Sequence, residues 1–383
     1  MIDFNVIQNS YNENIRQPKF KQAMLKEYFQ YKILDIINNS KWSDSLVFLG
    51  GSNLRIVHDF RRFSDDLDFD LKGDYDETDH ENMCRYVCNQ LAKEGIEVEI
   101  DHEKKIKKDH HRAYTRYINF SKMLKIQGIH NDPRKKIFVK LDAQAHNYGN
   151  FSYTPEDRII NRFGVFTSVK TTPIDVILSM KYCSILERAK GRDFYDVTEL
   201  VNLTKPNDDY LINRFKHGKL KEDYYGPIHL KERIIKKIEK MEIKDWEEKT
   251  KEIERYIFNP AESSKILHFK NWIMDSSFLR TFGLEVTGDN TVYDHVLSHR
   301  KRLRLNHYNR KVEISFYPDS NSFIPTPQRA DVRLSFRNVY GDQTGKPLTN
   351  YPEKIKLKKN FSIIGFELNP ESKDPININV QFY

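Results

Sequence analysis

Residues 46–71 read LVFLGGSNLRIVHDFRRFSDDLDFDL, and the closing DLDFDL constrains the fold more than any other stretch of the chain. Side chains alternate faces along a strand, so Asp66, Asp68 and Asp70 fall on one face and Leu67, Phe69 and Leu71 on the other. The apolar face demands a core. The acidic face demands water or cations, because carboxylates in a row repel one another and are costly to shelter unpaired. Just upstream, DSLVFLGG predicts a buried strand ending at a Gly50-Gly51-Ser52 turn, and SNLRIVHDF predicts a short helix after it. Glycines at such a junction allow close approach to the backbone, and helix N-terminal N–H groups favour phosphate oxygens.

Neighbouring segments supply a sheet for that strand. Residues 16–38, RQPKFKQAMLKEYFQYKILDIIN, space their apolar side chains by threes and fours and predict an amphipathic helix; TDHENMCRYVCNQLAK, residues 78–93, predicts another. GIEVEI, YTRYINF and KIFVKLDAQ predict further strands, the first two joined by the basic DHEKKIKKDHHRA. In KIFVKLDAQ, Phe138, Lys140 and Asp142 alternate against Ile137, Val139 and Leu141. If this strand lies beside DLDFDL, Asp142 completes a carboxylate triad. Hard oxygen ligands at that density suit Mg²⁺, which takes one or two carboxylates plus substrate phosphates, and the adjacent glycine turn suits a nucleoside triphosphate. For the acidic row taken alone, a solvated strand face beside a turn is the plainer alternative.

At 383 residues the chain exceeds the ~100–200 of most single domains, and its periodicity changes twice. The expected class is α+β: a mixed-sheet core over residues 1–172, a helical region over 173–275, and a β-rich domain over 276–383. The helical region rests on PIDVILSMKYCSILERAK, RDFYDVTELVN, HLKERIIKKIEKM, DWEEKTKEIERYIF and SSKILHFKNWIM; the β-rich one rests on KVEISFY, ADVRLSFRNVY, NFSIIGFEL and NINVQFY. Three cysteines make no disulfide framework, and Cys84 and Cys88, one helical turn apart, lack the partners of a zinc site. No secretory leader and no run of eighteen apolar residues occur, so a cytoplasmic protein without a membrane span is expected.

The formal net charge of +8 and pI of about 9.0 favour a polyanionic partner. SHRKRLRLNHYNRK, residues 298–311, mixes basic residues with His and Tyr in the manner of an RNA-binding surface, although a charged edge strand resisting aggregation has the same composition. EKKIKKDHHR is more simply a solvated loop, and His110 and His111 have no metal-ligand spacing to another His or Cys.

The wording GGSNLRIVHDFRRFSDDLDFDL resembles the signature of the DNA polymerase β-like nucleotidyltransferase superfamily, a Gly-Ser turn followed by D-x-D on the next strand. Together with PIDVILSMKYCSILERAKGRDFYDV it is similar to the AbiEii/AbiGii family, the nucleotidyltransferase toxins of type IV toxin–antitoxin pairs. The resemblance covers roughly residues 20–270. It implies that Gly51 and Ser52, with Gly50, hold the triphosphate. Asp66 and Asp68 would bind metals and Asp142 would ligate the one that activates the acceptor hydroxyl, in a two-metal site for Mg²⁺ with Mn²⁺ as an alternative. The lysine-bearing helix ending in R-D-x-x-D is matched by Lys181, Arg192, Asp193 and Asp196. Lys181 would neutralise the triphosphate or pyrophosphate, Arg192 would bind nucleotide, and Asp193 would orient the lysine or the nucleotide. Arg62 and Ser64 match R-x-S; Arg62 either contacts phosphate or braces the aspartates. Without the family wording, Lys181 reads as a surface lysine and Asp193 and Asp196 as favourable first-turn residues of a helix.

The implied function is transfer of a nucleoside monophosphate from an NTP to an acceptor hydroxyl, foremost an RNA or tRNA 3′ end, blocking translation and growth as in abortive infection by phage. A cognate antitoxin is then expected as a separate chain. A protein or small-molecule acceptor is the enzymatic alternative, and a non-catalytic RNA- or partner-binding module is the alternative of another class.

Overall fold

Seven strands form the sheet that carries the acidic row: β1 (Leu46–Leu49), β2 (Asp66–Leu71), β3 (Glu99–Ile100), β4 (Ala113–Phe120), β5 (Ile137–Gln144), β6 (Glu156–Arg162) and β7 (Val165–Thr171), in the order β3-β4-β5-β2-β1-β7-β6. The sheet is mixed, as the α+β reading requires: β2 runs antiparallel to β1 and parallel to β5, β1 is parallel to β7, and β4 is antiparallel to β3 and β5. The computed structural model describes residues 3–101, 112–120, 122–132, 135–146, 148–224, 226–274, 278, 281–282, 284–287, 291–297, 301–308, 311–317, 361–368 and 375–382. It divides into two compact units, residues 1–177 with 251–263 and residues 178–250 with 264–383.

In the first unit the core lies on the face bearing Leu67, Phe69 and Leu71 of β2 and Val139, Leu141 and Ala143 of β5, all buried. The helices there are α1 (Phe4–Asn9), α2 (Lys21–Asn38), α3 (Gly50–Ile56), α4 (Glu77–Lys93) and α5 (Met123–Ile126). The first predicted helix starts at Lys21, not at residue 16, because Pro18 opens a separate short 3-10 turn there. Met24, Leu25, Tyr28, Phe29, Ile33 and Leu34 of α2 are buried, and the Phe29 ring stacks on Phe120 of β4 at a centroid distance of 3.9 Å. Asp76 and Asp79 cap α4 reciprocally, each accepting from the other's backbone N–H.

Glu27 sits among these apolar groups, only 2% exposed. Its carboxylate takes hydrogen bonds from Arg55 Nε at 2.8 Å, Arg162 Nη1 at 2.9 Å and the Tyr11 hydroxyl at 3.1 Å. This network ties the segment after α1 to α2, α3 and β6. Burial and then the Glu27 charge push the Tyr31 hydroxyl up to about 12.

Other elements also differ from the sequence reading. GIEVEI pairs only over Glu99–Ile100. The β6–β7 hairpin was not expected; its turn is Phe163-Gly164, with φ of 55° and 78°, the pair of left-handed residues that suits the twist of a two-residue hairpin. A bulky residue in the first turn position hides that signal.

The second unit contains α7 (Gly191–Leu200), α8 (Asp208–His217), α9 (Pro227–Ile238) and α11 (Lys265–Met274), with parts of α6 (Ile174–Glu187) and α10 (Ile243–Glu254). Gly191 opens α7 against the Lys249 carbonyl, where an added Cβ would overlap the oxygen. Phe194 of α7 lies 5.3 Å from Trp246 and 5.0 Å from Phe269 between ring centroids. Strands β8 (Leu284–Thr287), β9 (Thr291–Leu297), β10 (Lys301–Tyr308) and β11 (Lys311–Tyr317) form one antiparallel sheet, and β12 (Phe361–Leu368) pairs with β13 (Pro375–Phe382). The expected strand ADVRLSFRNVY and the basic EKKIKKDHHR, except its final Arg112, lie outside the described residues, as do the side chains of SHRKRLRLNHYNRK. Among the described residues no helix is long and apolar enough to cross a membrane.

Each unit holds a buried histidine whose pKa burial lowers to about 4, with Arg116 adding to the effect at His80 and Arg233 at His229. Above pH ~6.5 the imidazoles are neutral in folded and unfolded chains alike. As the pH falls below that value the unfolded chain takes up protons that the fold refuses, and the loss is complete near pH 4. On the order of 2 kcal/mol per histidine is expected to disappear between these limits. Urea midpoints at pH 7 and pH 5 check this, and His80→Gln should flatten the pH dependence; a wild-type midpoint that does not move would contradict it.

Candidate active site

The parallel pairing of β2 with β5 sets Asp68 opposite Asp142 and Asp66 opposite Lys140. On β1, Leu49 stands opposite Asp68, so the last residue before the glycines meets the middle of the acidic row. Asp66, Asp68, Lys140 and Asp142 are all half-buried on the sheet face away from the core.

The glycines are not a turn before the helix but the first turn of α3 itself. Gly50 has φ 82°, and a Cβ there would overlap Asp68 Oδ2. A Cβ on Gly51 would lie 2.7 Å from Ser64 Oγ and 2.8 Å from Arg62 Nη2. Each glycine is therefore bare because a site residue packs where a methyl group would be. Gly50→Ala is expected to displace the Asp68 carboxylate and lower activity on the order of 10²-fold, the cost of an ångström's misplacement. Steady-state transfer rates beside a melting curve check it; unchanged activity would show that the Asp68 position is unimportant.

The Ser52 hydroxyl is fully buried and donates to the Asp66 carbonyl, which fastens α3 to β2. Arg62 is 1% exposed, and its Nη1 donates to the Phe63 carbonyl at 3.0 Å. That burial favours bracing over phosphate contact. The backbone around it is held from later in the chain: Arg62 bridges to Ile257, Phe63 N–H donates to the Tyr256 carbonyl, and Phe258 N–H donates to that of Arg61. From α2, Lys26 pairs with Asp65 at 2.7 Å and Gln30 donates to the Ser64 carbonyl at 3.0 Å.

Asp70 continues the acidic row but serves a different purpose. It is 1% exposed and accepts from His146 N–H at 2.8 Å, the Tyr153 hydroxyl at 2.6 Å and Lys72 Nζ at 2.8 Å. Its lone pairs are committed within the protein, whereas Asp66 and Asp68 sit nearer the surface.

Asp142 accepts from Thr115 of β4 and from Lys140. Burial alone would lower the Lys140 pKa; the charge of Asp142, followed by those of Asp66 and Asp68, raises it instead. Among the described residues no group of three or more His, Cys, Asp or Glu side chains is placed to hold a metal ion by itself. The ammonium of Lys140 stands in for the positive charge that the carboxylates require. Oxygen donors on two adjacent strands, with a cation already drawn among them, fit a hard divalent ion such as Mg²⁺.

In the second unit, Lys181 Nζ lies 2.8 Å from Asp196 Oδ2 and 3.5 Å from Asp193 Oδ1, with all three side chains buried. Arg188 holds Asp193 through two hydrogen bonds of 2.9 Å. Burial would raise the Asp193 carboxyl, but Lys181, Arg188 and Arg192 lower it to about 2. Lys181 is thus an ion-paired core residue and no solvated lysine.

Sequence reasoning missed Thr115, Lys140 and Arg188 as partners of these carboxylates. Lys140 had a visible signal, since it shares a strand face with Asp142 two residues away. Thr115 depends on cross-strand register, which a local pattern does not carry.

A sequence comparison with curated proteins finds no match. Among solved structures the chain is similar to MenT4, a nucleotidyltransferase toxin of Mycobacterium tuberculosis, at 14% identity and a TM-score of 0.45 over 74% of this chain and 94% of that one. It is also similar to JHP933 of Helicobacter pylori at 17% identity and a TM-score of 0.41, over 68% of this chain and 94% of the other. Residues 32–264 match the nucleotidyl transferase AbiEii toxin family of type IV toxin–antitoxin systems. Since that match spans more than half of a chain whose acidic strand and glycine turn interlock as described, the protein belongs to the AbiEii family of nucleotidyltransferase toxins.

Proposed function

We propose that the protein is a Mg²⁺-dependent toxin that transfers a nucleoside monophosphate from an NTP to the 3′ hydroxyl of an RNA, foremost tRNA, and so arrests translation and growth in the cytoplasm as a defence against phage. The observation that carries the chemistry is the direct opposition of Asp68 and Asp142 on adjacent parallel strands, with Asp66 on the same face. Phosphoryl transfer asks little covalent work of a protein, so positioning and charge dominate. When bound, Mg²⁺ would neutralise phosphate charge and ease deprotonation of the acceptor hydroxyl.

Asp66, Asp68 and Asp142 would hold that ion. Gly50 and Gly51 let Asp68, Ser64 and Arg62 pack against the first turn of α3, whose backbone N–H groups would meet the phosphate oxygens, with Ser52 contributing through its backbone because its hydroxyl serves Asp66. Ser64 and Arg62 keep the Asp65–Asp68 segment in place. The acceptor oxygen bonds to the α-phosphorus as the α–β bridging bond breaks, pyrophosphate departs, and the hydroxyl proton passes to solvent. The family's roles for Lys181, Arg192 and Asp193 in handling the triphosphate remain part of the proposal. The basic balance of the chain supports an RNA acceptor, and the family implies a cognate antitoxin.

The test incubates purified protein with each α-labelled NTP, Mg²⁺ and total cellular RNA, beside an Asp66→Ala, Asp68→Ala control. Label in a tRNA-sized band only with intact aspartates supports the proposal and names the base. Label in protein, or in no polymer, overturns the RNA acceptor and directs attention to protein and small-molecule acceptors.

A further inference from the structure

Lys140 lies on the same strand face as Asp142 and opposite Asp66, yet no motif assigns it a role. Its position is fixed twice: the register places it opposite Asp66, and its ammonium donates to Asp142 Oδ2, the oxygen on the side away from Thr115's partner Oδ1. The Lys140 side chain is 27% exposed and that of Asp142 25%, so water weakens the pair but does not displace it. The stem is long and flexible, so the ammonium can leave these contacts.

We propose that Lys140 is a resident counter-ion, a positioning residue that neutralises the Asp66, Asp68 and Asp142 face when no divalent ion is bound and must release Asp142 for one to bind. This rests on the reading of those aspartates as metal ligands. Two consequences follow from charge alone. The lysine keeps the carboxylates gathered in the empty enzyme, where they would otherwise repel one another. It also competes with the divalent ion for Asp142, so the apparent affinity of the site is weaker than the bare carboxylates would give. The enzyme then becomes competent only above a threshold of free divalent ion that Lys140 sets.

The test is direct Mn²⁺ binding to the full chain, followed by electron paramagnetic resonance of the free ion, for wild type, Lys140→Met, Lys140→Arg and Asp68→Asn. Releasing the site from one charge-assisted hydrogen bond is expected to tighten Mn²⁺ binding roughly 10- to 100-fold in Lys140→Met. Lys140→Arg should stay within a few-fold of wild type. Melting curves give a second readout: Lys140→Met should melt lower than wild type without metal and gain more from added Mn²⁺. Lys140→Gln serves if the methionine variant does not fold. Wild-type binding with unchanged or weakened affinity in the Met or Gln variant overturns the role of Lys140 and leaves the metal reading standing. No Mn²⁺ binding by wild type, or binding unaffected by Asp68→Asn, overturns both.

Discussion

Asp68→Asn is expected to reduce nucleotidyl transfer by about 10³-fold or more while leaving the fold as stable as wild type or more so. The two effects have one cause. Asp68 stands between Asp66 on its own strand and Asp142 across the β2–β5 pairing, so its charge adds to an acidic row that the single charge of Lys140 offsets only in part, while it prepares the site for cations. Asparagine keeps the shape and removes the charge. Losing one ligand to a cation that contributes several kcal/mol in the transition state corresponds to three powers of ten in rate. Transfer assays paired with thermal melts read both quantities. Activity within tenfold of wild type would remove Asp68 from the site, and a large drop in melting temperature would recast it as structural. Gly50→Ala complements this test, since it leaves every carboxylate in the sequence but displaces Asp68 and strains the backbone at φ 82°.

Glu27→Ala is expected to cost about 3–5 kcal/mol of stability, the range for stripping one partner from a buried ion pair. Arg55, whose side chain is 5% exposed, would keep its contact to the Phe60 carbonyl but would face outward only to Asp59, which is 93% exposed and a weak substitute. Arg162 and the Tyr11 hydroxyl would lose the same acceptor. Chemical denaturation measures the loss. Glu27→Gln should recover part of it through hydrogen bonding, and Glu27→Ala with Arg55→Ala should cost less than the sum of the single variants, because the second change removes the stranded charge. Strict additivity would mean that the two side chains do not depend on each other.

What the sequence disclosed followed the range of the interactions. DLDFDL and KIFVKLDAQ were legible as strands with one apolar and one polar face because the alternation is local, and Leu67, Val139 and Leu141 are indeed buried while Asp66, Lys140 and Asp142 are not. That these strands are parallel neighbours with Asp68 opposite Asp142 is a matter of register, which neither strand encodes alone. The glycines were legible as places of close approach, but what approaches them was not: Asp68 beneath Gly50, and Arg62 with Ser64 beside Gly51, come from residues up to eighteen positions away. β6 was missed because its exposed edge alternates weakly and Ile159 points to solvent. The burial of Arg62 was likewise not legible, since a motif shows which residue is present and not how much water it sees.

The strand-like return of Tyr256, Ile257 and Phe258 to Arg61, Arg62 and Phe63 carries a consequence for synthesis on the ribosome. Phe258 packs its ring on Phe20 and Phe63 and lies under the Arg55 guanidinium, so a nascent chain that has emerged only as far as β7 lacks part of its first core and the clasp behind the R-x-S segment. Residues 178–250 must be made before that clasp can close, and closing so long a loop carries an entropy cost that only the finished contacts offset. The strands that carry the aspartates are therefore translated early and locked late in the synthesis of this nucleotidyltransferase toxin.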